Sequence, residues 1–229
     1  MCWGQVFGLC CWFLWRWRNL EIFDPDQPPQ ICIWNYAREW RLATTSLHSK
    51  PARVEAYLAW DPPPPPNWIK VNIDGCMKGP SGSIGAGGLL RDNNGNWISG
   101  FTANLGKGKI IAAELWGLFF GLRLAWMRGF RSVEVEVDSA TVVTLVNQQD
   151  NSLHPLHTLI RGCQAYLKMD WHCKLSHIYR EKNFSADYLA SIGLTYDLGY
   201  FESQSPPPGC IPFLFEDSLG YARPREVIR

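Results

Sequence analysis

The sequence predicts an α/β fold: a five-stranded mixed sheet, its first three strands antiparallel, flanked by helices. Three observations point that way. Strand signals at 68–75, 84–91 and 97–103 follow one another closely, and DNNGN at 92–96 supplies a turn between the second and third. From residue 110 the pattern alternates helix and strand, an order that brings separated strands into one mixed sheet. Breaks stand between these segments, with Pro62 to Pro66 ahead of the first strand and Gly129 ahead of the fourth.

The 229 residues, 46% of them hydrophobic, suffice for one sizeable core with a smaller appended unit. A formal charge of +1, from 22 basic and 21 acidic side chains, gives no global electrostatic case for nucleic-acid binding. Local charge must carry any such case. The eight cysteines are scattered without CxxC or zinc-ligand spacing. They read as reduced thiols of an intracellular protein, nuclear or cytoplasmic, although an even count leaves a disulfide set open. FGLCCWFLW at 7–15 has no positive charge before it, is cut short by Arg16 and Arg18, and is too short to span a bilayer. No membrane partner is expected.

Residues 1–59 read as a helical N-terminal extension, with helices at 3–19 and 31–47 split by Pro25, Pro28 and Pro29. Their tryptophans favour packing, against the main domain or a protein partner, over contact with nucleic acid. Residues 60–67 form a proline-rich linker, most simply an extended spacer. The main domain covers 68–195. Alternation in its first strand puts Lys70, Asn72 and Asp74 on one side and Ile69, Val71 and Ile73 on the other, with Asp74 exposed at the strand end and Gly75 permitting a sharp exit. The glycines from Gly79 to Gly88 lack both GxGxxG and P-loop order, so they read as turns and close packing.

Residues 110–127 form a helix with Ile111, Leu115, Leu118 and Leu122 on its apolar face and Glu114 in its first turns. VEVEVD at 133–138 alternates into a strand ending on Asp138. Helices at 139–148 and 155–169 and a strand at 172–179 follow. Asn183 can cap a helix that begins near Phe184 and carries Asp187 in its first turn. Residues 196–229 read as a C-terminal tail whose IPFLF stretch can pack on the domain.

Asp74, Glu114, Asp138 and Asp187 are candidates to meet at the ends of the strands. Each alone has an ordinary reading, as strand end, exposed helix acid, N-cap or first-turn acid. Together, four unpaired carboxylates repel, and a divalent cation would compensate them. Magnesium suits such oxygen ligands.

KVNIDG at 70–75, AELWGL at 113–118, VEVEVDS at 133–139 and HIYREKNFSADYLA at 177–190 resemble a plant ribonuclease H-like domain of the retrotransposon-related type, over 68–195. The resemblance implies a ribonuclease H-like fold. It also implies that the four acids form a two-metal cleft that hydrolyses the RNA strand of RNA–DNA hybrids, with two Mg2+ ions present with substrate and Mn2+ as a substitute. His177, ten positions before Asp187, matches the mobile catalytic histidine of cellular members, which implies proton movement or product release; IYREKN replaces the usual glycine-rich surroundings. Lys70, Lys78, Arg91 and Arg180 are candidate phosphate contacts, and Asn72, Ser139 and Asn183 candidate groove contacts. The alternative is a domesticated module, weakly catalytic or inactive, that binds nucleic acid or protein. Four intact acids favour the enzyme; the apolar terminal additions and modest basicity favour the alternative.

Overall fold

The computed structural model describes residues 53–61, 64–80 and 82–228, together with 11, 14, 15 and 18. The expected helices at 3–19 and 31–47 therefore lie outside the described residues, apart from Cys11, Leu14, Trp15 and Arg18, which are helical. Two compact units divide the chain, Met1–Val54 with Val227–Arg229 and Glu55–Glu226. The second carries the larger sheet, its helices and the candidate site.

Among the described residues the strands are β1 (Arg53–Leu58), β2 (Ile69–Lys78), β3 (Ser83–Arg91), β4 (Trp97–Lys107), β5 (Ser132–Val137), β6 (His172–His177), β7 (Gly199–Ser203) and β8 (Arg223–Ile228). The helices are α1 (Ile110–Met127), α2 (Ala140–Asn147), α3 (His157–Leu167), α4 (Phe184–Gly193) and α5 (Ile211–Ser218). A six-stranded sheet has the order β6-β5-β2-β3-β4-β7, while β1 and β8 form a separate two-stranded sheet. β2, β3, β4 and β7 run antiparallel in succession, and β5 and β6 join β2 in parallel. The antiparallel meander and the mixed sheet agree with expectation.

Each face of the sheet has its own cover. Val71, Ile73, Leu90, Phe101, Val135 and Val137 belong to the main core with Leu115, Leu118 and Leu122 of α1. α1 is long and apolar enough to cross a membrane by length and composition, but more than half of it is buried in this core. The opposite face carries Leu89, which packs with Ala186 and Leu189 of α4 and with Cys210. α4 lies unusually close because a Cβ on Gly87 of β3 would meet the Ala190 nitrogen at 2.2 Å.

Three boundaries differ from expectation. The sheet has a sixth strand, β7, because Tyr200 stacks on Phe101 at 5.7 Å and meets Phe120 at 4.9 Å, seating 199–203 on the edge of β4. Within 196–229 the IPFLF stretch lies in α5, which packs on the domain and sends Asp217, 6% exposed, to the buried Arg91. At the other end, 53–58 is strand rather than helix. Within the proline-rich linker, Trp60 is buried with its ring 3.6 Å from the Arg91 guanidinium, so that residue is an anchor rather than part of a spacer.

Candidate active site

Strand register brings the first two acids together. Ile73 pairs with Val137 in the parallel ladder, so the next residues, Asp74, still paired with Gly87 of β3, and Asp138, just past the end of β5, stand side by side where that ladder stops. A crevice opens beyond the carboxyl end of the parallel pairing, beside the extension of β2. Glu114 comes from α1 on one face and Asp187 from the first turn of α4 on the other. β2 does not turn sharply at Gly75 but continues to Lys78. The glycine serves close approach instead, since a Cβ there would lie 2.3 Å from the Glu114 nitrogen and 2.5 Å from the Ala113 carbonyl carbon. Asn183 pins the other side by donating its Nδ2 hydrogen to the Ile73 carbonyl at 2.9 Å. That use of its side chain replaces the helix-capping bond expected from sequence.

Carboxylate oxygens of Asp74, Glu114 and Asp138 all lie within 4.8 Å of one another. Asp74 is 4% and Glu114 8% exposed, so Asp74 is buried where a strand-end residue was expected to be open. Asp74 Oδ1 accepts from the Gly75 N–H at 2.8 Å, whereas Glu114 Oε2 is buried with no hydrogen-bond partner. Burial, then the neighbouring Asp138, Glu114 and Asp187 charges, raise the Asp74 carboxyl well above the usual range. Burial and Asp138 push Glu114 up to about 8. Asp138 is raised by burial, against hydrogen bonding and the Arg180 charge that favour its anion. Three acids whose negative charge is uncompensated, one with an orphaned buried oxygen, suit an oxygen-seeking divalent cation.

The acids floor a cleft of about 840 Å³ that also exposes Lys78, Ser139, Thr141, Arg180, Asp187 and Ser191. Asp187 is not within 4.8 Å of all three acids but its side chain meets Asp74, and its Oδ1 is 2.8 Å from Arg180 Nη2. Ser139 N-caps α2, its hydroxyl accepting from the Val142 N–H at 3.4 Å. His177 is exposed at the end of β6, edge-on to Tyr179 at 5.7 Å, and does not line the cleft. Its ladder partner is Val137, so its side chain leaves the sheet in register with Val137 rather than with Asp138.

Four candidate nucleic-acid contacts are buried and belong to other interactions. Lys70, 2% exposed, has its Nζ 2.8 Å from Glu136 Oε1. Asn72, fully buried, donates to Glu136 at 2.7 Å and accepts from Arg91 at 2.6 Å. Arg91 also holds Asp217 at 2.7 Å, and Asn183 is the pin described above. Strand alternation correctly put Lys70, Asn72 and Asp74 on one face, but the cover over that face comes from Trp60 and α5, distant in sequence. Thr141, Ser191 and Cys76 were missed as cleft residues. Helical and strand periods would have found two of them, because Ser191 is one turn beyond Asp187 and Cys76 two residues beyond Asp74 on the same strand.

Comparison with known proteins agrees with this geometry. A family model described as reverse transcriptase-like matches residues 72–193, a span holding all four acids. An Arabidopsis thaliana protein named "putative ribonuclease H protein" is 36% identical over 232 residues; the match takes in 98% of this chain but only 37% of that relative's length. RNase H1 from Halobacterium salinarum aligns over 56% of this chain and 98% of its own, at TM-score 0.52 and 23% identity. The N-terminal RNase H domain of a Mycobacterium tuberculosis protein, solved as a fusion with maltose-binding protein, aligns over 56% and 94%, at TM-score 0.52 and 25% identity. This chain belongs to the reverse transcriptase-like family, and the unit that carries its four acids has the ribonuclease H fold.

Proposed function

We propose that the chain is a divalent-metal-dependent endonuclease that hydrolyses the RNA strand of RNA–DNA hybrids. The observation that carries this reading is the cluster of Asp74, Glu114 and Asp138 within 4.8 Å, with Glu114 Oε2 buried and unpartnered. Family membership and the ribonuclease H fold support it. Asp74, Glu114 and Asp138 would hold a first Mg2+ and Asp187 would complete the setting for a second, with Mn2+ as a substitute. Such ions supply water activation near neutral pH and charge neutralisation at the phosphoryl group.

The chain's own residues do the rest. Asp74, within β2, and Asp138, directly after β5, follow the last residue pair of the parallel ladder and form a floor whose spacing is set by the sheet. Glu114 approaches from α1 through the gap left by Gly75. Arg180 and Lys78 stand on the rim, where cations can meet backbone phosphates, and Ile110, Met77 and Leu194 provide an apolar wall. His177, outside the cleft lining, is assigned no step at the reacting atoms.

The test uses RNA–DNA, RNA–RNA and DNA–DNA duplexes of equal length, each with Mg2+ or chelator, for the native chain and Asp74→Asn. Internal cleavage of RNA in the hybrid, dependent on both metal and Asp74, is expected. Binding of the hybrid without metal-dependent cleavage would sink the nuclease reading and leave a noncatalytic binding module.

A further inference from the structure

Arg180 meets one of the acids directly. Its Nη2 lies 2.8 Å from Asp187 Oδ1, with side-chain exposures of 72% and 29%. The flanks of its turn are tied elsewhere. Glu181 Oε2 is 2.7 Å from Arg225, Lys182 pairs with Asp61, and the Tyr179 ring lies 4.1 Å from the Arg225 guanidinium. Of residues 179–182, Arg180 lines the cleft. The turn thus presents a long, exposed cation to Asp187, the acid that meets Asp74 without lying within 4.8 Å of all three clustered carboxylates.

Building on the metal-nuclease reading, we propose that Arg180 is a positioning residue that occupies Asp187 in the nucleic-acid-free protein and releases it when a backbone phosphate of the hybrid takes the guanidinium. A second divalent ion is then admitted only together with substrate. Guanidinium pairs equally well with carboxylate and with phosphate, in the same forked geometry. An ion pair this exposed is weak, so exchanging one anion for another is easy. While the pair persists, a positive charge at the rim repels an incoming cation, and the Asp187 oxygen is already in use. The arrangement would spare the empty site a second metal and tie completion of the site to arrival of the phosphate.

Mn2+ binding to the nucleic-acid-free protein, followed by calorimetry and by the electron paramagnetic resonance of free Mn2+, reads this without any activity. Native protein is expected to take one ion. Arg180→Gln is expected to take two, or to bind the first about tenfold more tightly, as removal of a unit charge beside a partly solvated site predicts. Arg180→Lys should keep the native pattern, and adding Asp187→Asn to Arg180→Gln should abolish the gain. In Ca2+, hybrid affinity by fluorescence anisotropy should fall about tenfold in Arg180→Gln, as for loss of a phosphate contact. Arg180→Gln with native Mn2+ stoichiometry and affinity, or with native hybrid affinity, overturns this inference alone. Native protein that binds no more Mn2+ than Glu114→Gln overturns the nuclease reading and this inference with it.

Discussion

Two groups of charged side chains lie on β2 and its neighbours, and they are built on opposite principles. Around Lys70 and Arg91, two buried cations meet two buried anions, Glu136 and Asp217, and Asn72 bridges them; Trp60 lies over both cations. Four residues along the same strand, Asp74 joins Glu114 and Asp138, all anionic when ionised, with a buried oxygen left without a partner. Burial is similar in the two places, but charge balance is not. Both places hold buried polar atoms without a partner, among them Arg91 Nε and Asp217 Oδ1, so it is charge balance that separates them: a buried network whose charges pair off is structural. One with a deficit of positive charge has an unmet requirement, and that marks the site.

The contrast can be broken from either side. Asp74→Asn should lower hybrid cleavage by about a thousandfold, comparable to removal of a key electrostatic group at a reacting centre, while raising the melting temperature of the metal-free protein because a like charge has gone. Cleavage assays and thermal melts on one preparation check both signs. Asp217→Ala should do the reverse. It leaves Arg91 buried and unpaired, a loss of about 3–5 kcal/mol in denaturant titration, with Mn2+ stoichiometry unchanged in the folded fraction. If Arg91→Met combined with Asp217→Leu is less damaging than Asp217→Ala alone, the penalty belongs to the orphaned charge rather than to lost packing.

Gly75→Ala tests how the unbalanced site is assembled. The added methyl must displace the first turns of α1, for an expected loss of about 1–3 kcal/mol in stability together with weakened Mn2+ binding. Intact metal affinity in this variant would show that the close approach of α1 is not what places Glu114. The most gradual effect is a pH slope. Glu114 holds its proton to about 8 when folded, against 4.5 as its ordinary value. Between those values the folded protein binds more protons than the unfolded chain, so its stability is full below pH 4.5 and declines as pH rises through about 8. The slope from this one group is at most about 1.4 kcal/mol per pH unit. Denaturant titrations at several pH values in chelator should show the decline, and saturating Mg2+ should flatten it.

Much of this was legible in the chain. Period-two alternation gave the faces of β2 and β5, and the DNNGN turn gave the β3–β4 hairpin: Asp92 accepts there from the Asn94 and Asn96 N–H groups, each at 2.8 Å. The four acids stood in local contexts that could be recognised before any coordinates. What stayed hidden was which polar residues the termini would cover. Lys70, Asn72 and Asn183 have the composition of groove contacts, yet each is sealed inside by elements up to about 145 residues away, including Trp60 and Asp217. β7 was missed for the same reason, since Tyr200 finds its partners only once α1 and β4 have packed together.

The sequence by itself determined the order of the elements, the phase of each strand and therefore the side of β2 on which Asp74 stands. Local sterics and the two periods carry that information over short distances. Only the tertiary structure decided that Asp74 is buried rather than exposed, that Asp187 is shared between Asp74 and Arg180, and that Lys70 and Arg91 serve the core rather than a nucleic acid. Those outcomes depend on which distant segment covers a face and which opposite charge comes within a few ångströms. No local pattern encodes either, because both are set by the packing of the whole unit.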